Sequence, residues 1–106
     1  MEKSIKDFLQ SGKDWEQLPL ANFEGAHVVK MPATKTRPAL LAIEVNPVKD
    51  GKPMKRKGLF VTNTDMLTEF QSILTNESLY NLMKTVDAIN SEQQPAGKER
   101  KPLKIE

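Results

Sequence analysis

The stretch KDGKPMKRKGLFVTNTDM, residues 49–66, decides how this chain folds. Six of its first nine residues are charged, and five of those six are positive. Asp50-Gly51 supplies turn chemistry. Leu59-Phe60-Val61 is an apolar run of strand type. Asn63 and Thr64 are N-cap residue types, and Asp65 suits the first turn of a helix, where backbone N–H groups attract negative charge. A hairpin followed by a helix is therefore centred here, with a basic turn set directly before a strand.

Working upstream, Ala39–Val45 (ALLAIEV) is the outgoing strand of that hairpin, and Asn46-Pro47 ends its regular part. Residues 56–62 form the returning strand. Folding about Gly51 pairs Val45 with Lys57, Ile43 with Leu59 and Leu41 with Val61. One face then carries Leu41, Ile43, Val45, Leu59 and Val61, which makes it the expected core face. The other carries Ala42, Glu44, Arg56, Gly58 and Phe60. Residues 26–31 (AHVVKM) form an earlier strand, ended by Pro32 and joined on by the polar link ATKTRP. Residues 3–10 form a short helix, since Ile5, Phe8 and Leu9 follow an i, i+3, i+4 spacing and Ser11-Gly12 stops it. Residues 13–24 are irregular. Their aromatics Trp15 and Phe23 can serve as stacking platforms or fill the core, core filling being the expected role, whereas for Phe60 the two roles stand even.

Downstream, Met66, Leu67, Phe70, Ile73 and Leu74 make one helical stripe, and Leu79, Leu82, Met83, Val86 and Ile89 make a second. On a continuous helix the two stripes would point roughly 155° apart. Either the chain breaks near Thr75-Asn76, or the second half packs against something else, such as another copy of the protein. From Asn90 the sequence turns polar, basic and proline-containing, which predicts a flexible tail over 91–106 after a single domain over 1–90.

Net charge is +2, but it is segregated. Lys30–Lys57 hold eight Lys or Arg against Glu44 and Asp50, a local +6, while residues 63–94 carry one Lys against five acids, a local −4. A segregated basic stretch suits a polyanionic partner or a solvated hairpin. The chain has no cysteine and one histidine, His27, so a multi-histidine or thiolate metal site is excluded within one copy. His27 lies in a strand without an identifiable acid partner, and no G-x-x-x-x-G-K-[ST] phosphate loop occurs. These absences predict a binding protein, not an enzyme, with no cofactor and no metal. No run reaches the roughly 18 apolar residues of a membrane span, and the charged N-terminus lacks the apolar core of a signal peptide. The expected location is cytoplasmic, or nucleoid-associated for a DNA binder.

The stretch ALLAIEVNPVKDGKPMKRKGLFVTNTDMLTEFQSIL resembles the positive-cofactor-four family of transcriptional coactivators and single-stranded-DNA-binding proteins. Lys57-Gly58 and Leu59-Phe60-Val61 are similar to that family's Lys-Gly and its strand, and Thr62–Leu74 to its cap and helix. The archaeal single-strand-binding proteins, which also pair a small sheet with helices, are similar at the same level. The chain departs from the first pattern at Asn46-Pro47, where aromatics are frequent, and at Glu44, where arginine is common. The family's first strand has no clear counterpart before Gly25. The resemblance implies a curved antiparallel sheet packed on C-terminal helices. It also implies a homodimer formed through residues 64–90, and single-stranded DNA or RNA lying along the sheets.

The expectation is thus an α+β domain that binds single-stranded nucleic acid with little sequence preference. The binding residues would be Lys30, Lys35, Arg37, Lys52, Lys55, Arg56, Lys57 and Phe60. The alternative is a protein-interaction module whose basic hairpin docks an acidic partner.

Overall fold

The computed structural model describes residues 1–93. The chain is α+β, with the order α1 (Glu2–Ser11), β1 (Gln17–Pro19), β2 (Ala26–Met31), β3 (Leu40–Val45), β4 (Val48–Lys49), β5 (Lys52–Pro53), β6 (Leu59–Val61), α2 (Thr64–Leu74) and α3 (Glu77–Ser91). The predicted flexible tail lies outside the described residues from position 94 onward. Two compact units are present, one ending at Thr68 and one beginning at Glu69. No described helix is long and apolar enough to cross a membrane.

The first unit is built on an antiparallel sheet of order β1-β2-β3-β6. Its spine is the six-residue pairing of β2 with β3, in which His27 faces Glu44, Val28 faces Ile43 and Val29 faces Ala42. Side chains alternate across a strand and paired residues share a face. Ala26, Val28, Ile43, Val45, Leu59 and Val61 therefore lie on one face, and His27, Val29, Ala42, Glu44 and Phe60 on the other. The division of hairpin residues between faces agrees with the sequence pattern, but the register and burial do not. Val45 pairs with Leu59 and Ile43 with Val61, two residues away from the expected pairing. On the expected core face Val61 is buried, while Ile43 remains 42% and Leu59 37% exposed. The second face buries Val29, Ala42 and the charged Glu44.

The register shift has a countable cause. Asp50 and Gly51 both take positive φ, 54° and 77°, as the two-residue type I′ turn requires. That turn closes the small β4–β5 ladder. Only Asn46 and Pro47 separate β3 from β4, whereas the five residues 54–58 separate β5 from β6. The returning side is thus three residues longer, and this excess displaces β6 relative to a hairpin folded evenly about Gly51. The returning strand is correspondingly short. It covers Leu59–Val61, not the predicted 56–62, and Arg56 and Lys57 stand in a bend ahead of it.

The helix starts follow the sequence. The Asn63 side chain accepts from the Met66 N–H at 2.7 Å, and Asp65 occupies the first turn of α2. Of the two explanations for the opposed stripes, a chain break is the one observed. Helix α2 ends at Leu74, and Asn76 caps α3 by accepting from the Leu79 N–H at 3.2 Å. Neither helix contains a buried residue. Leu67, Ile73 and Leu74 of α2 and Leu79, Leu82, Met83 and Ile89 of α3 are exposed.

Val29, at 2% exposure, is the largest side chain among those fully buried. Truncation to alanine removes two buried methyl groups. Val29→Ala is expected to cost about 2–3 kcal/mol, read as a drop in urea midpoint at constant m-value.

Candidate nucleic-acid interface

Glu44 stands in the middle strand of the β2–β3–β6 group and is only 5% exposed. A carboxylate there is costly unless hydrogen bonds replace its water. Three donors do so. The Gly58 backbone N–H donates to Oε2 at 2.7 Å, and the Gln17 amide donates to Oε1 at 3.4 Å. His27 Nε2 lies 2.7 Å from Oε1, and with an acidic oxygen as partner that ring nitrogen carries the proton. The sequence reading left His27 without an acid. The register supplies one, because His27 and Glu44 are direct cross-strand neighbours.

Asn46, also buried, clasps the returning chain by both groups of its amide. Its Nδ2 donates to the Lys55 carbonyl at 2.7 Å, and its Oδ1 accepts from the Lys55 N–H at 3.1 Å. Glu44 and Asn46 together consume the backbone groups at Lys55 and Gly58 that a longer β6 would have used in its ladder. This is the physical reason for the bend at 54–57. Gly58 is required by close approach. A Cβ there would meet Asn46 Cβ at 2.8 Å and would also collide with the Val45 carbonyl. Its missing side chain thus makes room for the protein's own backbone.

The bend turns Arg56 and Lys57 over the second sheet face. With Trp15, Gln17, Val29 and Phe60 they line an open cleft of about 330 Å³, and Glu44 lies at its base. Trp15 and Phe60 meet edge to face, with centroids 6.0 Å apart and planes at 65°. Trp15 is 53% exposed and Phe23 61%, so neither fills the core as expected. Among the described residues, Lys49, Lys52, Lys55, Arg56 and Lys57 form no ion pair with a carboxylate.

The eight residues expected to bind nucleic acid fall into separate groups. Arg56, Lys57 and Phe60 share the cleft. Lys55 immediately precedes them, held by its backbone to Asn46. Lys52 lies in β5, paired with Lys49 across the turn. Lys35 and Arg37 occupy the β2–β3 connection, at the other end of β3 from the hairpin, about 20 Å along a six-residue strand. Arg37 braces that connection by donating from Nη1 to the Pro32 and Pro38 carbonyls, each at 3.1 Å. Lys30 shares the face of Val28 and Ile43, opposite Phe60, and its Nζ donates to the Gly12 carbonyl at 2.9 Å. The sequence reading weighed Trp15 as a stacking platform but favoured core filling, and it missed Gln17, Glu44 and Asn46 as parts of the site. Only the Asn46-Pro47 and Glu44 departures hinted at them. Among the described residues no group of three or more acidic or histidine side chains could hold a metal ion.

Comparison with known proteins gives no matching family model and no matching curated protein or solved structure.

Two substitutions probe the frame of the cleft. Glu44→Ala strands the Gly58 N–H and is expected to cost about 1–3 kcal/mol. Gly58→Ala forces a methyl group into the Val45–Asn46 backbone and is expected to cost about 1–3 kcal/mol as well. Equilibrium urea unfolding measures both. Because the two sites share one hydrogen bond, the double variant should lose less than the sum of the single losses.

Proposed function

We propose that this protein binds single-stranded nucleic acid, with phosphates on the basic bend and unpaired bases on the second sheet face. The observation that carries the reading is the convergence of Arg56, Lys57 and Phe60 on one open cleft. Sequence-tolerant single-strand binders combine a cationic track for the backbone with aromatic faces for the bases. The cations here are unpaired with acids among the described residues, so phosphate binding does not first have to break an ion pair. An acidic protein partner would use the same cations but would have no need of the aromatic floor.

A second element of the proposal is a homodimer through residues 64–90. It is supported by the apolar side chains that α2 and α3 leave exposed, which exceed what a solvated helix pair requires. The break at Thr75-Asn76 removes the phase argument for a partner, and the exposure replaces it. Sedimentation at micromolar concentration should give twice the 12.0 kDa chain mass, about 24 kDa. A 12.0 kDa species across that range would remove the dimer.

Binding to an oligothymidylate should weaken with salt at a log–log slope of about −0.7 per phosphate contact. Arg56→Ala or Lys57→Ala should weaken binding and flatten the slope by about 0.7 each. Phe60→Ala should lower affinity by about 1–3 kcal/mol and leave the slope unchanged, since it removes no charge. A triple Lys55, Arg56 and Lys57 alanine variant that folds and binds with unaltered affinity and slope would refute the reading.

A further inference from the structure

Trp15 takes φ 64°, in the left-handed region that bulky side chains avoid. Its N–H donates to the Lys30 carbonyl at 2.7 Å, while the Lys30 N–H donates to the Glu16 carbonyl at 3.1 Å. Trp15 and Glu16 thus both face Lys30, two residues against one, as in a β-bulge that extends the β1–β2 pairing. In the bulge type whose first residue is left-handed, that residue is normally glycine. Here the position carries the only tryptophan of the chain. The strain is not offset by burial, because the ring is half exposed and touches Phe60 edge to face. Strained residues persist where the surrounding structure holds them for another purpose.

We infer that Trp15 and Phe60 form a cleft for one unpaired nucleobase, with Trp15 as its main stacking surface. This rests on the single-strand reading above and assigns a residue that the reading does not use. Three observations select the occupant. At about 330 Å³ the cleft lies at the small end of ligand sites, which suits a single ring system. The buried Glu44 carboxylate at its base repels a phosphate, so the group that enters is uncharged or an amine-bearing base edge. Arg56 and Lys57 on the same cleft repel a cationic side chain and attract the phosphates on either side of the base. A base in a duplex is stacked and paired and cannot enter, so the cleft discriminates against duplex.

The test uses the full chain, a 12-nucleotide oligothymidylate, and an abasic strand of the same length and charge, at one salt concentration. Trp15 is the sole tryptophan, so fluorescence excited selectively at tryptophan, beyond the absorption of Tyr80, reports the cleft alone. The expected result is quenching by the oligothymidylate and little by the abasic strand, with the abasic strand bound on the order of tenfold more weakly. Trp15→Gly should erase that difference and keep the salt slope. Its urea midpoint should stay level or rise, since glycine relieves the left-handed strain. Trp15→Phe should restore most of the preference. Equal binding of both strands by the wild type, or an unchanged preference in Trp15→Gly, overturns the cleft and leaves the single-strand reading standing. A collapse of the Trp15→Gly urea midpoint would make Trp15 a structural residue and also overturn the cleft. Absence of binding to either strand overturns the single-strand reading, and the cleft with it.

Discussion

The buried carboxylate of Glu44 is the constraint on which the sheet depends. It draws together β1 through Gln17, β2 through His27 and the approach to β6 through Gly58. A charge removed from water is destabilising on its own, and an uncompensated one costs several kcal/mol. The fold therefore has to deliver three donors to one side chain at once, and each delivery fixes a piece of backbone. Gly58 can come close enough to donate only because it lacks a Cβ. An apolar residue at position 44 would pack the sheet without imposing any of these positions. The acid contributes specificity of geometry more than net stability.

Asn46 extends that control by two residues. Its amide imitates a strand's backbone, offering one donor and one acceptor to Lys55. The chain between Lys55 and Gly58 is thereby held at both ends while Arg56 and Lys57 remain free to point over the sheet. Flexible cations would lose more conformational entropy on meeting a polyanion than cations on a pinned bend. The same hairpin sets Lys49 directly opposite Lys52, a like-charge pair that weakens a two-stranded ladder. Asp50-Gly51 offsets this by supplying a turn that needs no distortion to close.

The α+β class, the strands at 26–31 and 39–45, the Asp50-Gly51 turn, the Asn63 cap and the two helical stripes were all legible, because each rests on local chemistry or on periodicity. The division of residues between faces was legible too, since a shift of two residues preserves alternation. What the sequence hid were contacts between distant positions. The His27–Glu44 pair exists only because the β2–β3 register sets those residues opposite each other, and no local rule announces it. The short β6 depends on backbone groups being taken by side chains from β3. For Trp15 core filling was favoured over stacking, because aromatics in irregular segments usually fill the core. Its left-handed backbone and its contact with Phe60 are features of a bulge that the sequence does not mark, since the glycine that would mark it is absent. Of the expected binding residues, the ones that converge lie next to Gly58 in the chain. Lys30, Lys35 and Arg37 shared only the charge statistics of the region.

Natural sequences break local rules where function demands it and satisfy them elsewhere. Three such breaks occur in this chain: a tryptophan in a glycine conformation, a carboxylate buried in a sheet, and lysines opposed across a turn. Their placement is what gives them weight. Trp15 and Glu44 line the same cleft, and the lysine pair lies on the hairpin that leads into its rim. Scattered breaks would each be tolerated as a small loss in a marginally stable domain. Breaks gathered around one cleft, beside a half-exposed tryptophan and unpaired cations, support the proposed binding role of this face, although Glu44 within it also ties the sheet together. The proposed ligand, a strand of alternating phosphates and bases, offers a counterpart both to the charges of the bend and to the half-exposed ring of Trp15.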